Sequence, residues 1–362
     1  MTRIDASASQ LLLFIAVVLL ITFTALAALC ILALLVIRAR RRLLERRRAA
    51  QTARLRSDLV AIVDGEEPEA SEAAARLVAL RGRHWHRADE LLVGILPKVR
   101  GDAKDRVRAV LRSRGAEERA VAQLGSGRAA ERCRGAFALG AMGAEDATSR
   151  VIELLADRSP LVRRVAVRSL GMMQDPAAAE PLLQAANKPE AVQRDLVQAL
   201  IQLGAGAAPV LRARVLHLIA HPDSVDRSAP AAAEALGFIG DVASARILAA
   251  AVDGGSTALQ LAAAQALGHL DVPAGVPALQ RAITSPVSAQ LKLAAATSLG
   301  RLGAEAAIPE LLHAVEDGGP SVSRTAASAL LSLGPAGRDA LARSSAPYAV
   351  EALAVDAMRL AP

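Results

Sequence analysis

The chain has 362 residues, enough for two ordinary domains or for one extended solenoid with an anchor. Aromatic residues make up only 2%, which excludes base-stacking platforms and aromatic-lined ligand pockets, while an excess of Ala and Leu suits closely packed helices. The net charge of +7 belongs to one short segment: residues 38–56 hold nine Arg and one Glu, and the remaining 306 residues beyond them hold 33 basic and 34 acidic groups.

From Leu11 to Ile37 there are 27 residues without a charge. As a helix at about 1.5 Å per residue they span roughly 40 Å, more than a hydrocarbon core of about 30 Å needs. A transmembrane helix over 11–37 is therefore expected, behind a short extracytoplasmic N-terminus over 1–10. A cleaved signal peptide fits less well, because the first ten residues carry no net positive charge, the apolar run is too long, and arginines follow it. Those arginines are Arg38, Arg40, Arg41, Arg42, Arg46, Arg47 and Arg48, against Arg3 alone before the run. By the positive-inside rule the N-terminus lies outside the inner membrane and everything after Ile37 in the cytoplasm. The same cluster would face anionic headgroups, each arginine contributing on the order of 1 kcal/mol.

Residues 38–63 continue as a basic juxtamembrane helix, and Asp64-Gly65-Glu66-Glu67-Pro68-Glu69 marks a turn-rich boundary. Over 64–127 the apolar spacing predicts short helices: one opened by Ser71 and Glu72, then 86–97, 101–113 and 116–124, forming an N-terminal cap or degenerate repeats. Residues 76–114 form a second basic zone, with 11 basic against 4 acidic groups, expected to be a solvated face or a docking patch for an acidic partner. His84-Trp85-His86 holds the only tryptophan and is expected to make a capping contact.

A Leu-Gly motif then recurs. It appears as Leu139-Gly140-Ala141-Met142-Gly143, Leu170-Gly171, Leu236-Gly237-Phe238-Ile239-Gly240, Leu267-Gly268 and Leu299-Gly300-Arg301-Leu302-Gly303, with relatives at Leu200 and Leu330. The leucines are 31, 30, 36, 31, 32 and 31 residues apart, a period that marks stacked repeats. Each unit divides into two amphipathic helices, as in Ile308, Leu311, Leu312, Val315, then a break at Asp317-Gly318-Gly319-Pro320, then Val322, Ala326, Ala329, Leu330. The glycine after the leucine suits close helix approach, and the later glycine suits a left-handed helix end. The 36-residue interval places a longer turn at His221-Pro222-Asp223-Ser224-Val225-Asp226 and puts Ser228 at a position that is apolar elsewhere.

Asp157-Arg158-Ser159-Pro160-Leu161-Val162-Arg163-Arg164-Val165-Ala166-Val167-Arg168-Ser169-Leu170-Gly171 resembles the second half of a short bacterial HEAT repeat of the phycobilisome-lyase-like type. The residue eight before the leucine stays apolar at Val162, Val192, Leu259, Leu291 and Val322. The Arg after it is kept at Arg132, Arg163 and Lys292 but replaced by Gln193, Gln260 and Ser323. The resemblance covers about residues 116–362. It implies an all-α fold, an α-α superhelix (a HEAT-repeat solenoid) preceded by one transmembrane helix. Repeats are expected over 128–334, with a capping repeat over 335–362.

Chemistry-bearing constellations are scarce. His217 and His221 share one helical turn, but no third ligand is evident beyond Asp223 and Asp226, so no metal site is assigned. Cys30 and Cys133 suit inert buried thiols. The His-Glu pairs of the HEAT-like deoxyhypusine hydroxylases are absent, nothing marks a bilin pocket, and the balance over 135–362, 18 basic to 21 acidic, opposes a nucleic-acid surface. The expectation is a membrane-anchored scaffold or adaptor without cofactor or catalysis, binding partner proteins of a membrane complex at the cytoplasmic face. The alternative is a HEAT-like enzyme or enzyme subunit, lyase- or hydroxylase-like. Neither the partner-binding residues nor the oligomeric state follow from the sequence.

Overall fold

The computed structural model describes residues 55–188, 193–221, 226–286 and 288–360, apart from the side chains of 83, 84, 359 and 360. The predicted span over 11–37 and the arginine cluster Arg38 to Arg48 lie outside the described residues. Every regular element that is described is helical.

The chain divides into two compact units, which within the described residues are 55–92 with 99–110, and 93–98 with 111–360. The first unit is built from α1 (55–64), α2 (Glu69–Ala79) and parts of α3 (Gly82–Ile95) and α4 (Asp102–Ser113). Its core gathers Leu59, Ile62, Ala73, Leu77, Trp85 and Val107, so the tryptophan is an interior residue. Arg76 donates to Asp58 at 2.9 Å and Arg106 to the carbonyl of Ile62 at 3.0 Å, tying α2 and α4 to α1. α2 begins at Glu69, two residues before the predicted start, and α3 begins at Gly82, four before.

The second unit is a stack of helix pairs. Second helices α6 (Ala129–Met142), α8 (Pro160–Met173), α10 (Gln193–Leu203), α12 (Ser228–Ile239), α14 (Thr257–Leu270), α16 (Ala289–Arg301), α18 (Pro320–Ser332) and α20 (Pro347–Leu360) lie side by side in that order. Behind them stand α5 (Ala116–Leu124), α7 (Thr148–Glu153), α9 (Ala179–Ala186), α11 (Ala208–Ala220), α13 (Ala245–Gly254), α15 (Val276–Thr284), α17 (Ile308–Asp317) and α19 (Pro335–Arg343). No pair covers its own apolar face, so each needs its neighbours.

The Leu-Gly motif explains the spacing. Each leucine is fully or almost fully buried between the two rows, and the next residue sets how closely second helices approach. A Cβ at Gly237 would stand 2.6 Å from the Cα of Ala266, and one at Gly140 would stand 2.7 Å from the Cα of Ser169. Gly171 meets Ala199 in the same way, Gly268 meets Ser298, and Gly300 meets Ala329. The rule is that the glycine of one repeat docks on the small residue just before the leucine of the next. Ser298, at one such contact, donates to the carbonyl of Ala264 at 2.7 Å and so satisfies its buried hydroxyl.

The helix ends follow the second half of the expectation, with two variants. Gly143, Gly240 and Gly303 take φ of +62°, +76° and +60°, while Gln174 and Asp271 hold the same place at +60° and +53°. Because an L side chain is strained there, Asp271→Gly should stabilise the protein by about 0.5–1 kcal/mol, read as a rise in the denaturation midpoint. An unchanged or lower midpoint would contradict the strain argument.

The residue after the repeated apolar position drifts in identity, and at four of its six places the side chain bonds a backbone carbonyl. Arg132 donates to the carbonyl of Ser126 at 2.8 Å, Arg163 to that of Asp157 at 2.8 Å, Gln260 to that of Val252 at 3.1 Å, and Ser323 to that of Gly318 at 2.9 Å. The carbonyls of Ser126, Asp157 and Gly318 lie in the segment leading into the helix concerned, and that of Val252 in the last turn of α13. Arg132 also reaches the next repeat, where Nε and Nη2 bind both oxygens of Asp157 at 2.7 and 2.8 Å. That hydrogen bonding is the largest influence holding the Asp157 carboxyl below its usual range.

Ser228, at the usually apolar position, is fully buried. Its amide and hydroxyl bind Asp226 at 2.7 and 2.5 Å, and the amide of Arg227 binds the Asn187 side chain at 2.8 Å. The long interval therefore ends in a turn tied back to the preceding repeat. Burial alone would raise the Asp226 pKa, but the bonds from Ser228 and Asn187 and the charge of Arg214 bring it below the usual range.

One described helical run, Gln193–Ala220, is long and apolar enough by length and composition to cross a membrane. It is α10 followed by α11, turned at Gly204 with φ +70° and packed against α8, α9, α12 and α13. It belongs to the stack. At the far end, α20 exposes Val350, Val355 and Met358.

Candidate functional site

Side chains of the second helices α12, α14, α16 and α18 line a groove across these four helices. Its main chamber, about 590 Å³, is bordered by Glu234, Phe238, Gln265, His269, Thr297 and Arg301. It continues through Thr297, Arg301 and Thr325 into a second chamber of about 390 Å³ bordered by Arg324, Ser328 and Ser332.

The residue directly after each docking glycine supplies one rung of this groove. These rungs are Phe238, His269 and Arg301, separated by 31 and 32 residues and so stacked one repeat apart. The rings of Phe238 and His269 have centroids 4.2 Å apart at an interplanar angle of 34°. Nη1 of Arg301 lies 3.1 Å from Nε2 of His269. Burial, followed by the charge of Arg301, lowers the His269 pKa and so favours the neutral imidazole, which in the tautomer protonated on Nδ1 can accept from the guanidinium at Nε2. Further along, the guanidinium of Arg324 sits 5.5 Å from the centroid of the Tyr348 ring. Glu234, one turn before Phe238, is half-buried, and burial raises its pKa.

These residues were not singled out from the sequence, although three of them sit inside the motif that organises it. The usable signal was position: at Gly237, Gly268 and Gly300 the residue after the docking glycine is exposed, whereas Ala141 after Gly140 is buried. The residues that were singled out lie elsewhere. His217 and His221 stack with centroids 4.6 Å apart, and Nδ1 of His221 contacts the carbonyl of His217 at 2.9 Å, which engages one ring nitrogen with backbone. No group of three or more potential metal ligands occurs among the described residues. Cys133 is half-buried, and burial pushes its thiol pKa up, which disfavours the nucleophilic thiolate. In the basic zone over 76–114, Arg76, Arg106, Arg108 and Arg112 are paired with Asp58, Glu67, Asp105 and Glu117. That pairing reduces its net field.

Residues 117–201 and 246–332 match the family model for HEAT repeats. These segments are HEAT repeats. In the interval between them the stack of helix pairs continues through α11 and α12. A comparison with curated proteins finds no match. Among solved structures, the complex of CpcE and CpcF of phycocyanin lyase from Nostoc sp. PCC7120 is similar at 23% identity and a TM-score of 0.33, over 66% of this chain and 92% of that one. Human deoxyhypusine hydroxylase in complex with glycerol is similar at 18% identity and a TM-score of 0.31, over 79% and 97%. Kap121p is similar at 12% identity and a TM-score of 0.47, over 84% of this chain and 41% of its own. At these identities and TM-scores no activity passes from these proteins to this chain.

Proposed function

We propose that this protein is a membrane-anchored HEAT-repeat adaptor whose solenoid binds partner proteins of a membrane complex at the cytoplasmic face of the inner membrane. The observation that carries the adaptor reading is the groove over α12 to α18, whose exposed border includes Phe238, Gln265, His269, Arg301 and Arg324. Its rungs Phe238, His269 and Arg301 recur once per repeat, a layout suited to an extended partner. The anchor reading is supported by the uncharged run Leu11–Ile37 and the arginines from Arg38 to Arg48. An anchored solenoid meets a membrane partner at raised effective concentration, so modest intrinsic affinity suffices.

Crosslinking and pull-down from native membranes, compared with protein lacking residues 1–56, tests the function. Recovery of a defined membrane-protein partner that weakens on truncation is the expected result. A stoichiometric cofactor or bilin in the purified protein would overturn the adaptor reading in favour of an enzyme subunit. Topology has its own test: a reporter fused after Arg48 should be active only if cytoplasmic, and activity of a periplasmic reporter there would reverse the orientation.

A further inference from the structure

We infer that the groove across α12, α14, α16 and α18 takes an extended, dipolar peptide segment of a partner protein, with a basic side chain at Glu234 and an acidic one at Arg301 and Arg324. The inference rests on the adaptor reading and narrows it to one class of ligand.

The charges in the groove are separated by sign. Glu234 stands at one end, half-buried, with no hydrogen-bond donor or cation reaching it among the described residues. A carboxylate partly removed from water and lacking a partner gains from an incoming ammonium or guanidinium. Arg301 and Arg324 border the other end, and neither is paired with a carboxylate among the described residues. Arg301 contacts only the imidazole of His269, and Arg324 lies over Tyr348. Between the ends, Gln265 and Gln290 make no hydrogen bond among the described residues and can pair with a peptide main chain, while Leu261 and Leu293 offer apolar contact.

Spacing sets the length of the ligand. From α12 to α16 is two helix-to-helix steps of about 9 Å each. An extended chain rises about 3.3 Å per residue, so the two complementary charges should stand about six residues apart. A polyanion such as nucleic acid or an anionic lipid surface fits worse, because Glu234 would oppose it.

The full chain in neutral detergent is titrated against four capped, fluorescein-labelled peptides: Lys-Ser-Leu-Thr-Leu-Ser-Glu, its Lys/Lys and Glu/Glu counterparts, and a version with Lys and Glu adjacent. The six-spaced Lys/Glu peptide should bind about tenfold tighter than the other three. Glu234→Gln should abolish its advantage over the Glu/Glu peptide, and Arg301→Glu should make the Lys/Lys peptide the best ligand. Both variants should keep the wild-type helical content and melting midpoint, since neither residue contributes to the stack. Equal affinity for all four peptides, or binding of none, would overturn the inference. So would tighter binding to phosphatidylglycerol vesicles that Arg301→Glu abolishes, or a concentration-dependent dimer that the same substitution dissociates. If the peptides fail while Arg301→Glu still recovers the native membrane partner, the groove assignment falls and the adaptor reading stands.

Discussion

Gly237→Leu should destabilise the solenoid by about 3 kcal/mol, whereas Arg301→Leu should leave the denaturation midpoint nearly unchanged. The first substitution places its Cβ 2.6 Å from the Cα of Ala266 and 2.8 Å from its Cβ, both on α14, and these atoms cannot rotate away. Relief requires α12 and α14 to separate, which uncovers the leucines between them. Arg301 is exposed and turns out into the groove, so its loss removes recognition chemistry and leaves the packing alone. Equal midpoints for the two variants would show that helix approach is not set by the docking glycine. Because each repeat touches only its neighbours, the damage should be local. Hydrogen exchange should therefore accelerate in α12, α14 and their first helices before it does in α6 or α18.

A second large effect is expected from the pair formed by Arg132 and Asp157. Their side chains are 7% and 8% exposed and are joined by two short bonds, so removing one partner strands the other. Arg132→Met should lower the melting midpoint by about 5 °C, more than Arg168→Met, whose pair with Asp195 is solvent-exposed on the arginine side. The pH dependence has a definite sign. The Asp157 carboxyl lies below its ordinary value in the folded protein, because of the Arg132 hydrogen bond first and the Ser159 amide and neighbouring charges thereafter. The folded state therefore holds fewer protons at this site than the unfolded state as acid is added. The contribution is fully present above the unfolded pKa of about 4 and is lost as pH falls through the folded value. Asp157→Asn should flatten the acid limb of the stability profile, and an unchanged limb would remove the pair from the account.

The repeat architecture was legible because it depends on patterns a sequence displays directly. Apolar positions such as Val162, Leu259, Leu291 and Val322 must return each period, and Leu139, Leu170 and Leu299 must be followed by a residue without a side chain. The break at Asp317 to Pro320 likewise marks the turn between α17 and α18. Ser228 was legible only as an exception, because its partner Asp226 and the contact of Arg227 with Asn187, 40 residues away, exist only once the chain is folded. The drift from Arg132 to Gln260 to Ser323 looked like loss of a motif. The structure shows three side chains of different length each bonding a different carbonyl, in the last turn of the preceding helix at Val252 or just after that helix at Ser126 and Gly318. The groove was hardest to foresee, since Phe238, His269 and Arg301 share no chemistry, and only the stacking of α12, α14 and α16 makes them neighbours.

The adjacency of Gly237 to Phe238, Gly268 to His269 and Gly300 to Arg301 has an evolutionary corollary. One residue of each couple is bound by geometry to stay small, and the next faces outward with nothing in the frame depending on it. Ligand preference can therefore be rewritten at the rungs with little folding penalty, although a change at His269 also alters the surroundings of Phe238 and Arg301, which touch it. Duplication or loss of a repeat would lengthen or shorten the readable message without altering how the remaining rungs are spelled.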